Sequence, residues 1–280
     1  MMNFAKPKKK KEKEFKYGLV LSGGGTRGLA HLGVLKALEE ENIKPEIISG
    51  VSAGSVVGAL YADGMAPEEI LEALASQKIL KFIDFTIPRT GFVKMTGFER
   101  FLNKLLKAKR IEDLKTRLLV FTVNINSAEY VCFEEGPLIQ IIKASSSIPI
   151  LFPPVEIEKQ FHCDGGLFNN FPVESLENRC ERVIGVNVNP LVKKEKIGSL
   201  RKLAERTFQL NIRSHTIERK YKCNLFIEPE GLDRYSLLDL GSARETFELG
   251  YQATKKALKE TDWQMRTPLE NEAKFVVKKL

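Results

Sequence analysis

The chain is poor in the side chains that most often carry metal or acid–base chemistry. Its 280 residues include three histidines (His31, His162, His215), four cysteines (Cys132, Cys163, Cys180, Cys223) and one tryptophan. The cysteines are widely spaced with no C-x-x-C pair, so they are expected as reduced thiols in a cytosolic protein. His162 beside Cys163 has no further partner at metal-ligand spacing, so no metal site is expected. No run approaches the 18 or more consecutive apolar residues of a membrane-spanning helix. The basic start of the chain is not followed by an apolar segment, which excludes reading it as a secretory signal.

What is present is a positive excess confined to one end. The formal charge is +8, and residues 1–16 hold seven lysines against two glutamates, so +5 of it belongs to this tail. Such a segment is expected to be disordered. Anionic lipid would attract it by at most about 1 kcal/mol per lysine at the surface; a solvated tail that serves only solubility is the alternative. No arginine-rich or aromatic platform accompanies the lysines, so nucleic acid is not expected as a partner. The expected organisation is a basic tail over 1–16, one domain over 17–260, and a C-terminal extension over 261–280.

Tyr17–Ser22 reads as a buried strand, followed by a glycine-rich turn and a helix to about Glu41 with Leu32, Leu35 and Leu38 on one face. A strand over Pro45–Ser49, a helix over Ser52–Ala62 and a helix opened by Pro67 follow. Residues 79–101 carry phenylalanines and isoleucines around Pro88 and Gly91, as an apolar lid or a core-packing excursion would. Further strands are expected over 118–125, 130–133, twice within 155–164, over 182–188 and over 224–227. Further helices are expected over 137–145, 201–221 and 243–259. This alternation predicts a three-layer α/β/α fold around a mostly parallel sheet.

Gly50-Val51-Ser52-Ala53-Gly54 is G-x-S-x-G between a short apolar strand and a helix. Serine is a poor nucleophile unless the backbone forces its hydroxyl out. Small neighbours permit the sharp strand-to-helix turn that does so. Gly23-Gly24-Gly25-Thr26-Arg27-Gly28 also fits the dinucleotide pattern G-x-G-x-x-G. A dinucleotide site wants an acid at the end of the second strand, and that strand runs into Ser52 instead. The turn reads better as an oxyanion hole, with Gly24 and Gly25 as main N–H donors and Arg27 adding either positive potential or a structural ion pair. Of the histidines, His31 shares a face with Leu35 and Leu38 and reads as packing. His162 shares a strand face with Asp164. His215 alone supplies the chain order Ser…Asp…His of a triad. Asp164, in Cys163-Asp164-Gly165-Gly166, taken alone reads as a turn former.

Taken together, G-G-G-T-R-G, G-V-S-A-G and D-G-G resemble the patatin-like phospholipases, and most closely the bacterial branch related to neuropathy target esterase. Arg27–Leu35, Ala144–Pro149 and Asp164–Val173 are similar to the same family, over roughly residues 17–190 with looser similarity to about 260. The resemblance implies a Ser52–Asp164 dyad without histidine. It also implies an oxyanion hole in Gly23–Gly28, an elbow braced by Gly50 and Gly54, and a base turn through Gly165 and Gly166. The departure is D-G-G where the family more often has D-G-A. The implied activity is hydrolysis of a phospholipid, lysophospholipid or other long-chain acyl ester through an acyl-enzyme, with no cofactor, in a cytoplasmic protein peripheral to the inner face of the membrane. An α/β-hydrolase triad using His215 and a non-catalytic lipid-binding module are the competing expectations.

Overall fold

The computed structural model describes residues 12–76, 95–149, 151–190, 218–235, 240–260 and 262–263, with isolated positions 206, 210 and 216. Strand β1 (Phe15–Leu21) leads through a 3-10 helix (Gly25–Leu29) into α1 (Ala30–Glu40). Then come β2 (Ile47–Val51), α2 (Ala53–Ala62), α3 (Pro67–Ala75) and α4 (Thr96–Leu105). The chain continues through β3 (Arg117–Asn124), β4 (Glu129–Phe133), α5 (Leu138–Ser145), β5 (Val155–Ile157) and β6 (Gln160–Asp164). The short α6 (Glu174–Glu177), β7 (Cys180–Val186), β8 (Leu225–Ile227) and α7 (Ala243–Glu260) complete it.

Strands β8, β7, β1, β2 and β3 lie side by side and parallel, as the alternation of strand and helix predicts. Antiparallel strands β4, β5 and β6 extend the sheet beyond β3. Side-chain alternation along the strands sends Leu19, Leu21, Ile48 and Val120 into the larger core, shared with α1, α2, α3, α5 and α7. Val20, Ile47, Val51 and Phe121 face a smaller core closed by Phe171, Val173, Leu176 and Cys223.

The register of β3 positions the site. Residues 120–124 of β3 pair with β4 along one edge. On the other edge, β2 pairs with 117–121 and β6 with 122–124. Strand β2 runs parallel to β3 and ends with Val51 opposite Phe121; β6 runs antiparallel and ends with Asp164 opposite Thr122. The two strands therefore meet end to end on the same edge, and Ser52 and Asp164 stand at the junction.

Local sequence accounts for most element ends. Pro67 opens α3, where the Glu69 carboxylate accepts the Ala66 N–H at 3.1 Å. Glu158 and Lys159, with φ of 51° and 63°, make the two-residue turn between β5 and β6. Several expectations change. Strand β1 begins at Phe15, and Lys13 and Glu14 already bind Glu177 and Arg117, so the domain begins inside the segment read as tail. At the other end Trp263 is buried and lies 5.9 Å from the Tyr17 ring, inside the segment read as extension. Of the expected lid, 79–94 lies outside the described residues; its end lies in helix α4, which buries Phe101 in the core. Most of the helix expected over 201–221, His215 included, also lies outside the described residues.

Helix α7 buries Ala243, Thr246, Gly250 and Thr254, a stripe of small residues at helical spacing, and this lets it lie close on α1. A Cβ at Gly33 would fall on the Phe247 carbonyl, and one at Gly250 on that of Ala30. Helix propensity alone would make Gly33→Ala stabilising by about 1 kcal/mol. Backbone carbonyls cannot yield as a side chain does, so overpacking wins and a net loss of about 1–3 kcal/mol is expected in urea unfolding. A variant as stable as the parent would show that the two helices separate at little cost.

Candidate active site

Ser52 caps the start of α2 with φ 51° and ψ −124°, a left-handed conformation unusual for a residue with a side chain. The tightness of the turn explains the flanking glycines. A Cβ at Gly50 would stand 2.7 Å from the Gly54 oxygen, and one at Gly54 would fall on the Leu21 carbonyl. Because β2 has ended, the Ser52 N–H has lost its ladder partner. Ser145 replaces it: its Oγ accepts the Ser52 N–H at 2.9 Å and donates to the Phe121 carbonyl at 2.7 Å.

Asp164 is buried at the end of β6, its N–H held by the Ser147 carbonyl at 3.0 Å. Its Oδ1 accepts the Gly166 N–H at 2.7 Å, and the Ser52 side chain hydrogen-bonds to the same carboxylate. Burial pushes its pKa up to about 6, against the opposing pull of the Ser52 and Gly166 hydrogen bonds. The sequence alone gave no reason to depart from the reference value of about 3.9.

The glycine-rich turn packs directly on the Ser52 elbow. A Cβ at Gly23 would stand 2.9 Å from the Ser52 Cβ, and one at Gly28 would stand 2.6 Å from the Ala53 Cβ. The base turn packs as closely, a Cβ at Gly165 standing 2.6 Å from the Phe121 oxygen. All three glycine motifs thus converge on one point. Within the turn, Thr26 is buried and the Arg27 N–H closes onto the Gly24 carbonyl at 3.2 Å. The Arg27 guanidinium reaches the carbonyls of Tyr235 (2.9 Å) and Asp233 (3.3 Å), tying the turn to the loop before α7.

The histidines divide. His31 does more than pack: its Nε2–H donates to the Ser22 carbonyl at 2.8 Å, directly before the glycine turn. Burial lowers its pKa to about 4, so it is neutral and holds that carbonyl over the ordinary pH range. His162 is buried beside Thr122, with Nδ1 and Oγ1 2.8 Å apart. The sequence reading missed Ser145, Asn170 and Asn189. The first two stand in segments it quoted without a role; the last follows a buried strand in Asn187-Val188-Asn189-Pro190. All four cysteines are free, and the described residues contain no group of metal-ligating side chains.

A strained serine thus stands at a strand-to-helix turn on an α/β sheet, with a buried carboxylate beside it and a glycine turn packed on the serine. The family model for patatin-like phospholipases matches residues 19–177, more than half of the chain, and the protein belongs to that family. Patatin-like phospholipase domain-containing protein 6 of Mus musculus is 26% identical over 272 residues, which cover 85% of this chain and 20% of that protein. Lysophospholipase NTE1 of Candida glabrata is 35% identical over 178 residues, 61% of this chain and 10% of that protein. The chain spans about a fifth of the length of the first of these relatives. Among solved structures, VipD from Legionella pneumophila has the same fold, with a TM-score of 0.51 at 16% identity over 88% of this chain and 67% of that one.

Asp164 also leaves a signature in stability. Its folded pKa of about 6 lies above the unfolded value of about 3.9, so the fold binds its proton more tightly. Its contribution is neutral at low pH and unfavourable once pH rises through 6, by about 2–3 kcal/mol. Asp164→Asn is expected to raise the melting temperature at pH 8 and to leave it unchanged near pH 4. An equal effect at both pH values would contradict a buried, ionised carboxylate.

Proposed function

We propose that the protein is a serine lipid acyl hydrolase in which Ser52 is the nucleophile and Asp164 the base. The observation that carries the reading is the buried Asp164 carboxylate hydrogen-bonded to the elbow serine, with the glycine turn packed on that serine. In this scheme Asp164 takes the Ser52 proton as Oγ attacks the ester carbonyl. The Gly24 and Gly25 N–H groups, which have no protein acceptor among the described residues, meet the negative charge that develops on the carbonyl oxygen. The proton passes from Asp164 to the departing alcohol and leaves an acyl-enzyme. Asp164 then takes a proton from water, which attacks the acyl carbon; the Oγ–acyl bond breaks, the proton passes from Asp164 to Ser52 Oγ, and the fatty acid leaves. No cofactor enters any step.

A carboxylate with a pKa of about 6 is close in basicity to an imidazole, whose reference value is about 6.5. That suffices for an ester, whose leaving group is better than that of an amide. The substrate class follows from the family and from relatives named as lysophospholipases: a phospholipid, lysophospholipid or similar long-chain ester. Among the described residues no helix is long and apolar enough to cross a membrane. The Lys-rich N-terminus is proposed as the contact with an anionic membrane surface. Deleting residues 1–11 should then weaken binding to anionic vesicles at low salt, measured by co-sedimentation; unchanged binding would remove the tail from this role.

Ser52→Ala and Asp164→Asn should each lower hydrolysis of a medium-chain p-nitrophenyl ester by roughly 10³-fold or more, while His215→Ala stays within about threefold of the parent. A comparable loss in His215→Ala would establish a triad instead. For the parent, kcat/KM should rise with pH to a plateau, with an acid limb centred near pH 6 where Asp164 loses its proton. Activity undiminished at pH 4.5 would exclude Asp164 as the base.

A further inference from the structure

The carbonyl of Gly23 is held twice. Asn170 Nδ2 donates to it at 3.2 Å, and Asn189 Nδ2 donates to it as well. Both side chains are buried at this point, and they come from separate parts of the chain. Asn170 follows the base turn that begins at Asp164, and Asn189 follows the end of β7. The backbone on either side is also fixed: His31 holds the Ser22 carbonyl at 2.8 Å, and the Ser22 Oγ accepts the Val188 N–H at 3.0 Å.

In a planar trans peptide the carbonyl and the following N–H point in opposite directions. Fixing the Gly23 oxygen therefore fixes the Gly24 N–H, which points away from both asparagines and has no protein acceptor among the described residues. The peptide lies between two glycines, and without side chains the backbone there rotates easily. A flip would exchange the two groups and put a carbonyl dipole where the N–H should be. Negative charge developing on the substrate would then be repelled rather than stabilised. Side-chain amide nitrogens donate only to the unflipped carbonyl, and two of them oppose the flip together.

We infer that Asn170 and Asn189 are positioning residues of the reaction: by gripping the Gly23 carbonyl they aim the Gly24 N–H at the oxyanion formed on Ser52. The inference rests on the proposed hydrolase reading. It assigns a role to two side chains that do not themselves meet the substrate, and it makes the base turn and the glycine turn one hydrogen-bonded unit through Asn170.

The test uses the full chain carrying Asn170→Ala, Asn189→Ala or both, with Ser52→Ala as control. Each is assayed with a p-nitrophenyl ester and titrated with two ketones of the same chain length. The trifluoromethyl ketone adds Ser52 Oγ to its carbonyl carbon, with the serine proton passing to Asp164, and so builds the oxyanion; the methyl ketone occupies the site without doing so. Each single variant should lower kcat about 10- to 100-fold, below or near the effect of deleting one oxyanion donor, with KM within about threefold. Affinity for the trifluoromethyl ketone should fall by the same factor as kcat, and affinity for the methyl ketone should not change. A lower melting temperature with kcat and trifluoromethyl ketone affinity intact would overturn the inference and leave the asparagines structural. Should Asn170→Ala fail to fold, Asn189→Ala, nearer the surface, decides alone. Activity that survives Ser52→Ala would refute the proposed reaction itself; activity abolished there but indifferent to both asparagines refutes only the positioning role.

Discussion

One edge of strand β3 is shared by two strands arriving from opposite ends, and the candidate site sits where they meet. Val51 ends β2 opposite Phe121, and Asp164 ends β6 opposite Thr122. A slip of one residue in either pairing would turn the side chains of that strand to the other face and separate the serine from the carboxylate. The junction also leaves unpaired backbone, and each group is provided for locally. Ser145 takes the Ser52 N–H, and the Ser147 carbonyl takes the Asp164 N–H. Helix α5 and the residues just after it therefore hold both halves of the site from one side.

The electrostatics follow from the same placement. Burial lifts the Asp164 pKa, while the hydrogen bonds from Ser52 and Gly166 restrain the rise. Arg27, the basic residue of the glycine turn, spends its guanidinium on the carbonyls of Tyr235 and Asp233. The carboxylate is thus tuned by desolvation, which raises its basicity toward that of imidazole, and by neutral donors, which hold the rise in check. Such a group is a liability to stability at neutral pH and an asset to proton abstraction, the opposition expected at a functional site.

Much of the fold was legible in the sequence because burial on both faces leaves a plain signature. The apolar runs at 17–22, 118–125 and 182–188 each overlap a strand of the parallel sheet, which begins one or two residues earlier in every case. Glycine gave the close approaches, since a Cβ at Gly23 would meet Ser52, one at Gly28 the Ala53 Cβ, and those at Gly50 and Gly54 backbone. The limits of the domain were less legible. Phe15 and Trp263 looked like parts of flanking segments because local composition does not reveal a long-range partner; one begins β1 and the other packs against Tyr17. Phe101 gave no local sign of whether it belonged to a lid or to the core, and only the packing of α4 places it inside.

By itself the sequence determined the local conformations: a serine forced into a sharp turn, a glycine-rich turn opening a helix, and an aspartate before paired glycines. These depend on side chains that are absent or small, and that is a property of composition. Tertiary structure decided the rest. It set the meeting of Ser52 with Asp164, more than a hundred residues away, and the depth of burial that moves the carboxylate's pKa. It brought Asn170 and Asn189 onto one carbonyl and turned Arg27 away to a loop. Each depends on the register between distant strands and on exclusion of water, and neither quantity exists until the sheet is assembled.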